Sequence, residues 1–101
     1  MNDENQIEIP SSFLALFVEP GRQKPSVSRD EVAARYELCE DMANMLMETA
    51  SNMFFSLGIT ERSVLVRCHD GLVGENPVVT RPEAGWVIRR MAELLGWQAY
   101  G

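Results

Sequence analysis

The run from Arg29 to Leu57 constrains this chain most: 29 residues with no proline or glycine, ending at Gly58. Its start is marked by a capping box, with Ser28 as N-cap and Glu31 three positions on, and Val27 and Val32 stand where a hydrophobic staple would put them. Asp30 and Glu31 place negative charge at the positive end of the helix dipole. Gly58 suits the left-handed residue after a helix, with Ile59 placed for the hydrophobic contact of a Schellman ending. These signals predict one helix over 29–57.

Within it Val32, Tyr36, Cys39, Ala43, Leu46, Ala50, Met53 and Leu57 recur at alternating steps of four and three, the seam of a coiled coil or helical bundle. Leu38, Met42 and Met45 widen the stripe, as do Met47 and Phe54. So wide a stripe needs more than one partner helix, and surplus apolar surface on 29–57 would serve a homodimer. Glu37, Asp41, Asn44, Glu48 and Ser51 form the opposite, acidic face.

Two further helices follow. Thr60 and Glu61 open one over 61–72, with Val64, Leu65, Cys68 and Leu72 facing inward; its rival is a short strand in the β-rich "SVLVRC". "GLVGENPVV" reads as loop. Thr80 and Glu83 then form a second capping box with Pro82 in the first turn, opening a helix over 81–95. Its core face is Ala84, Val87, Ile88, Met91, Leu94 and Leu95; Gly96 is the terminator, with Trp97 packing back. Gly85 costs this helix about 1 kcal/mol relative to alanine, and its missing side chain would permit a close helix crossing. At the other end of the chain, Phe13–Val18 lies between two prolines, either as a short helix capped by Ser11 or Ser12 or as an extended segment.

The fold expected is therefore all-α: a small bundle of three main helices (29–57, 61–72, 81–95) with the N-terminal apolar segment packed on it. It forms a single domain over 1–101, with 1–9 disordered and 19–27 a Pro/Gly-rich loop. A hydrophobic share of 46% and a charged share of 24% are those of a globular chain. The longest apolar run, Phe13–Val18, is far short of the roughly 20 residues that span a bilayer. The N-terminus carries acids where a signal peptide carries Lys or Arg, so a cytoplasmic protein is expected. Two cysteines 29 positions apart suit reduced thiols rather than a disulfide scaffold.

Charge is divided unevenly. Residues 1–57 hold ten acids against the four cations Arg22, Lys24, Arg29 and Arg35, whereas 58–101 hold five of each sign. A net charge of −6 disfavours general nucleic-acid binding, leaving Arg81, Arg89 and Arg90 as the only local basic patch.

"VRCHDG" is the one stretch that suggests chemistry, holding Cys68, the sole histidine His69, and Asp70. Successive helix positions point about 100° apart, so Cys68 and His69 do not face each other as nucleophile and base must. The apolar pattern buries Cys68 and turns His69 toward the rim; a buried thiol is inert. A zinc site from Cys39, Cys68 and His69 reaches three ligands but lacks any paired-ligand spacing. No catalytic residue and no cofactor is expected.

"ARYELCEDMA", "RCHDGL" and "PEAGWVIRRMAELLGW", together with the "EPGRQKP" loop, resemble a family of small bacterial proteins of unassigned function, some members of which carry the label chaperone-associated ATPase. The resemblance covers most of the chain and implies a small, helical, cytoplasmic bacterial protein. It assigns no catalytic residue. The nearest approach to a phosphate-binding loop, "DGLVGENP", has neither the lysine nor the Ser/Thr such a loop needs, and Lys24 is the chain's only lysine.

The expected function is a non-enzymatic protein–protein interaction module whose partner is basic. The candidate partner surface is Glu37, Asp41, Met45, Met47, Glu48, Trp86 and Trp97, from an acidic strip, methionines that can repack and two tryptophans off the main core face. The alternatives are a nucleic-acid-linked regulator and an accessory factor of a chaperone-type ATPase.

Overall fold

A computed structural model of the chain describes residues 8–97 and is all-α, with no strand among the described residues. The expectation of disorder over 1–9 falls almost wholly outside them. The elements are α1 (Ser11–Leu14), which continues as a 3-10 turn (Ala15–Phe17), then α2 (Arg29–Leu57), α3 (Glu61–Leu72) and α4 (Arg81–Leu95). The chain divides into two compact units, Met1–Glu37 and Leu38–Gly101, with the division falling inside α2.

In the first unit the apolar N-terminal segment is helical, and neither serine caps it. Pro10 holds the N-cap position without a side-chain bond, and its carbonyl accepts from the N–H groups of Phe13 and Leu14, both at 3.0 Å. Proline suits this position because its fixed extended backbone leaves the carbonyl pointing into the first turn. Phe13 is fully buried, with Phe17 at 5.4 Å and Tyr36 edge-on at 5.5 Å between ring centroids. The Pro/Gly-rich loop after Val18 is a tied structure. Gly21 takes the left-handed backbone (φ 82°) that closes the Glu19–Arg22 turn, and Ser26 anchors the return by donating its N–H (2.8 Å) and hydroxyl (3.1 Å) to the Phe17 carbonyl. Ser28 Oγ then accepts from the Glu31 N–H at 3.2 Å, opening α2 where the sequence places it.

The long seam of α2 is spent within the chain. Val32, Cys39, Ala43 and Ala50 are fully buried and Tyr36, Leu46 and Met53 half-buried, and Leu57, at 55%, is the one exposed residue of the seam. Surplus apolar surface of the kind a homodimer through 29–57 would use is therefore found on this helix mainly away from the seam, at Met45 and Phe55. Gly58 ends the helix with positive φ and donates to the Phe54 carbonyl at 3.2 Å, the single-bond left-handed ending rather than the Schellman form.

In the second unit α3 begins at Thr60, whose hydroxyl accepts from the Ser63 N–H at 3.0 Å, and buries Val64, Leu65 and Cys68. The strand reading of "SVLVRC" is thus replaced by helix. α4 carries the complete capping box: Thr80 Oγ accepts from the Glu83 N–H (3.2 Å), and the Glu83 carboxylate accepts from the Thr80 N–H (2.8 Å). Gly96, at φ 76°, ends α4 in a Schellman motif, with Gly96 N–H on Glu93 and Trp97 N–H on Ala92 at 3.1 and 2.9 Å. That turn sets the Trp97 ring 5.4 Å from Phe54 of α2.

Candidate interaction surfaces

Along the outer side of α2 in the second unit, Asp41, Met45, Glu48, Asn52 and Phe55 follow one another at steps of four, three, four and three, and all are exposed. Residues so spaced share one face of a helix. The apolar members stand well out of the protein: Met45 is 68% exposed and Phe55 78%. Phe55 rests edge-on against Phe54 at 5.2 Å, which continues to Trp97, so an aromatic group closes the C-terminal end of this row. From Leu38 to Leu57 the helix has no lysine or arginine, and its face is apolar and acidic without counter-charge of its own.

This arrangement sorts the residues that the sequence suggested. Asp41, Met45 and Glu48 come together on the row. Met45 therefore leaves the stripe it had been expected to widen. Met47 is half-buried on another side of the helix, and Glu37 is exposed but belongs to the first unit. Trp97 is half-buried, occupied by its contact with Phe54. Trp86 is only 7% exposed and belongs with Glu83, Ala84, Val87, Met91 and Ala92, which α4 buries around most of its circumference. It offers no open surface, because α4 is covered on more sides than its single apolar stripe indicated.

Between α3 and α4 runs an open groove of about 410 Å³. Leu65, Val66 and Ile88 supply its apolar wall, Arg62 and Arg89 its cations, and His69 and Gly85 complete it. Among the described residues no carboxylate lines it. Gly85 makes no close crossing: a Cβ built there meets only the Arg89 guanidinium, Nη2 at 3.7 Å. Its missing side chain instead leaves room in the groove.

The basic patch expected from Arg81, Arg89 and Arg90 is not one surface. Arg90 turns to α2 and holds the Glu40 carboxylate with two bonds, Nε–Oε1 at 2.9 Å and Nη2–Oε2 at 3.1 Å, while Nη1 reaches Glu93 at 3.2 Å. The Arg90 hydrogen bonds pull the Glu40 carboxyl below its ordinary range, and Glu40 in turn makes the guanidinium harder to deprotonate. Arg89 lines the groove and Arg81 is exposed at the start of α4.

Cys68 and His69 do not converge. Cys68 is 6% exposed and burial pushes its thiol up, whereas His69 lies in the groove that Cys68 does not line. Cys39 is fully buried, and no disulfide joins the two cysteines. Among the described residues no three His, Cys, Asp or Glu side chains are placed to hold a metal ion, so Cys39, Cys68 and His69 are not gathered into a ligand set.

Two features escaped the sequence reading. Phe55 was hidden by its neighbour, since only one of two adjacent phenylalanines can face inward. The groove joins residues 16 to 27 positions apart on two helices, a pairing that periodicity does not carry. Among the described residues no helix is long and apolar enough to cross a membrane. No family model, curated protein or solved structure matches this chain.

Proposed function

We propose that the protein is a non-enzymatic protein-interaction module that docks a basic, partly apolar surface on the outer row of α2. The observation that carries this reading is the placing of Met45 and Phe55 in water on the same helix face as Asp41 and Glu48, with Met45 between the two carboxylates and Phe55 two turns beyond Glu48. An aromatic side chain buries roughly 150–250 Å² when covered, so a ring left 78% exposed gives up a large stabilisation that a partner would restore. Asp41 and Glu48 orient the approach and favour a cationic partner, mostly through the association rate. A non-catalytic role is supported by the separation of Cys68, buried, from His69, in the groove.

The test uses a fluorescein-labelled amphipathic helix of lysine and leucine as a probe, titrated at low ionic strength and followed by anisotropy. Saturable binding that drops at least tenfold in Asp41→Arg/Glu48→Arg and in Phe55→Ser supports the reading. Equal binding by wild type and both variants, or none by wild type, overturns it.

A further inference from the structure

The geometry points to a second copy of this chain as the partner: the outer row of α2 from one molecule lies in the α3/α4 groove of another, with Asp41 and Glu48 set against Arg62 and Arg89. This inference rests on the reading of the α2 row as an interaction face, and it names what that face meets.

The two surfaces are complementary in each respect that their chemistry allows. The row carries carboxylates and no cation; the groove carries two arginines, with Arg89 exposed, and among the described residues no carboxylate lines it. The exposed apolar groups of the row, Met45 and Phe55, find their counterpart in Leu65, Val66 and Ile88. Val66 is itself 51% exposed, so both sides gain by being covered. A groove of about 410 Å³ lies within the range of sites that enclose small apolar groups, and the absence of a Gly85 side chain keeps it open. Asp41 and Glu48, seven residues apart, are separated by about 10 Å along the helix, so one ridge presents both charges with Met45 between them. A helix laid in an apolar groove with flanking charge pairs is a recurrent mode of recognition.

A second copy fits better than a foreign chain because one compact unit supplies both halves of the contact. Every molecule in solution therefore meets the complementary surface at its own concentration. The surfaces are unlike, so two molecules pair isologously, about a two-fold axis, when each row reaches the other's groove, and otherwise add heterologously, head to tail. The buried seam of α2 plays no part, which separates this contact from a coiled-coil dimer.

The experiment is sedimentation and light scattering of the full-length chain in reductant, from about 10 µM to about 1 mM, where small transient interfaces dissociate. The expected result is a mass that rises above the monomer with concentration. It should fall back as salt is raised from about 0.05 M to about 0.5 M, because these charges are exposed and screened. Asp41→Arg/Glu48→Arg and Arg62→Glu/Arg89→Glu should each stay monomeric alone, and an equimolar mixture of the two should recover the wild-type rise. Misfolding of either variant could not give that recovery. Gly85→Leu, which fills the groove from a half-buried helix position whose added Cβ meets only the Arg89 side chain, should remain monomeric with its helicity intact.

A wild-type chain that is monomeric over the whole range overturns the inference, as does association that survives both charge reversals or a mixture that stays monomeric. If the chain is monomeric but the lysine–leucine helix still binds the α2 row, the inference fails and the interaction reading stands. If neither occurs, both fail.

Discussion

The Arg90 guanidinium grips the Glu40 carboxylate from across 50 positions of sequence, with paired bonds of 2.9 and 3.1 Å that tie α4 to α2. Asn44 adds a contact from one turn along, donating to the Glu40 carbonyl at 2.7 Å and reaching Oε2 at 3.4 Å. The planar fork of arginine matches a carboxylate in a way lysine cannot. Both side chains remain partly open to water, 33% and 24% exposed, so the pair is discounted for screening. Glu40→Gln is expected to lower unfolding free energy by about 1 kcal/mol at neutral pH. Because Glu40 titrates lower in the folded chain than its ordinary value of 4.5, its contribution is complete above that value and is lost as pH falls through the folded one. Denaturant titrations of wild type and Glu40→Gln should therefore converge as the pH is lowered below 4.5. A gap that stays constant down to strongly acid pH would show that the ion pair is not its source.

The thiols offer a second check. Cys39 is fully buried and Cys68 nearly so, with its ionisation pushed up by its surroundings. A thiol reagent at neutral pH should modify neither cysteine on the timescale on which a small exposed thiol reacts, and both once the chain is unfolded. Raising the pH above 9.0 should weaken the fold, since the unfolded chain then ionises Cys68 more readily than the folded one does. Prompt modification of one equivalent in the native protein would contradict this burial and reopen Cys68 as a reactive group.

The end of α4 depends on Gly96. With φ at 76° it holds the left-handed backbone that lets Trp97 turn back onto Phe54. Gly96→Ala should cost about 1–2 kcal/mol. It should also shift tryptophan fluorescence toward that of a water-exposed ring. Trp86 is buried and would contribute a constant blue component. Unchanged emission and stability would mean that the Trp97 contact does not need this turn.

Gly85 predicts the opposite sign. It sits inside α4 with ordinary helical backbone, and an added methyl meets only the mobile end of Arg89. Gly85→Ala should raise unfolding free energy by about 0.5–1 kcal/mol through helix propensity alone. Thermal unfolding decides it: a lowered midpoint would show that the position is crowded after all.

The outcome at particular residues shows what this sequence makes legible. Ser28, Thr60 and Thr80 marked the starts of α2, α3 and α4, and Gly58 and Gly96 two of their ends, because caps are local chemistry. The inward seam of α2 could be read for the same reason: a period of alternating fours and threes needs no knowledge of the partner. What periodicity does not reveal is how far around a helix its neighbours extend. Hence Trp86, off the expected face of α4, is buried, and Met45, beside the expected face of α2, is not. The outer row of α2 has the same four–three spacing as the seam, and only the covering of one and not the other tells them apart. The groove and the Glu40–Arg90 pair join distant positions. Nothing in a single sequence ranks Arg90 above Arg89 as the partner of Glu40, although the two are adjacent and only one turns toward α2.

The central claim is that Phe55 stands on a surface made for contact and contributes little to the fold. The direct measurement is the denaturant unfolding free energy of Phe55→Ser beside its affinity for the lysine–leucine helix. The account predicts stability within about 0.5 kcal/mol of wild type, as for an exposed site, with affinity reduced at least tenfold. A loss of about 2 kcal/mol or more, of the kind that follows emptying a core position, with affinity unchanged in the molecules that remain folded, would contradict it.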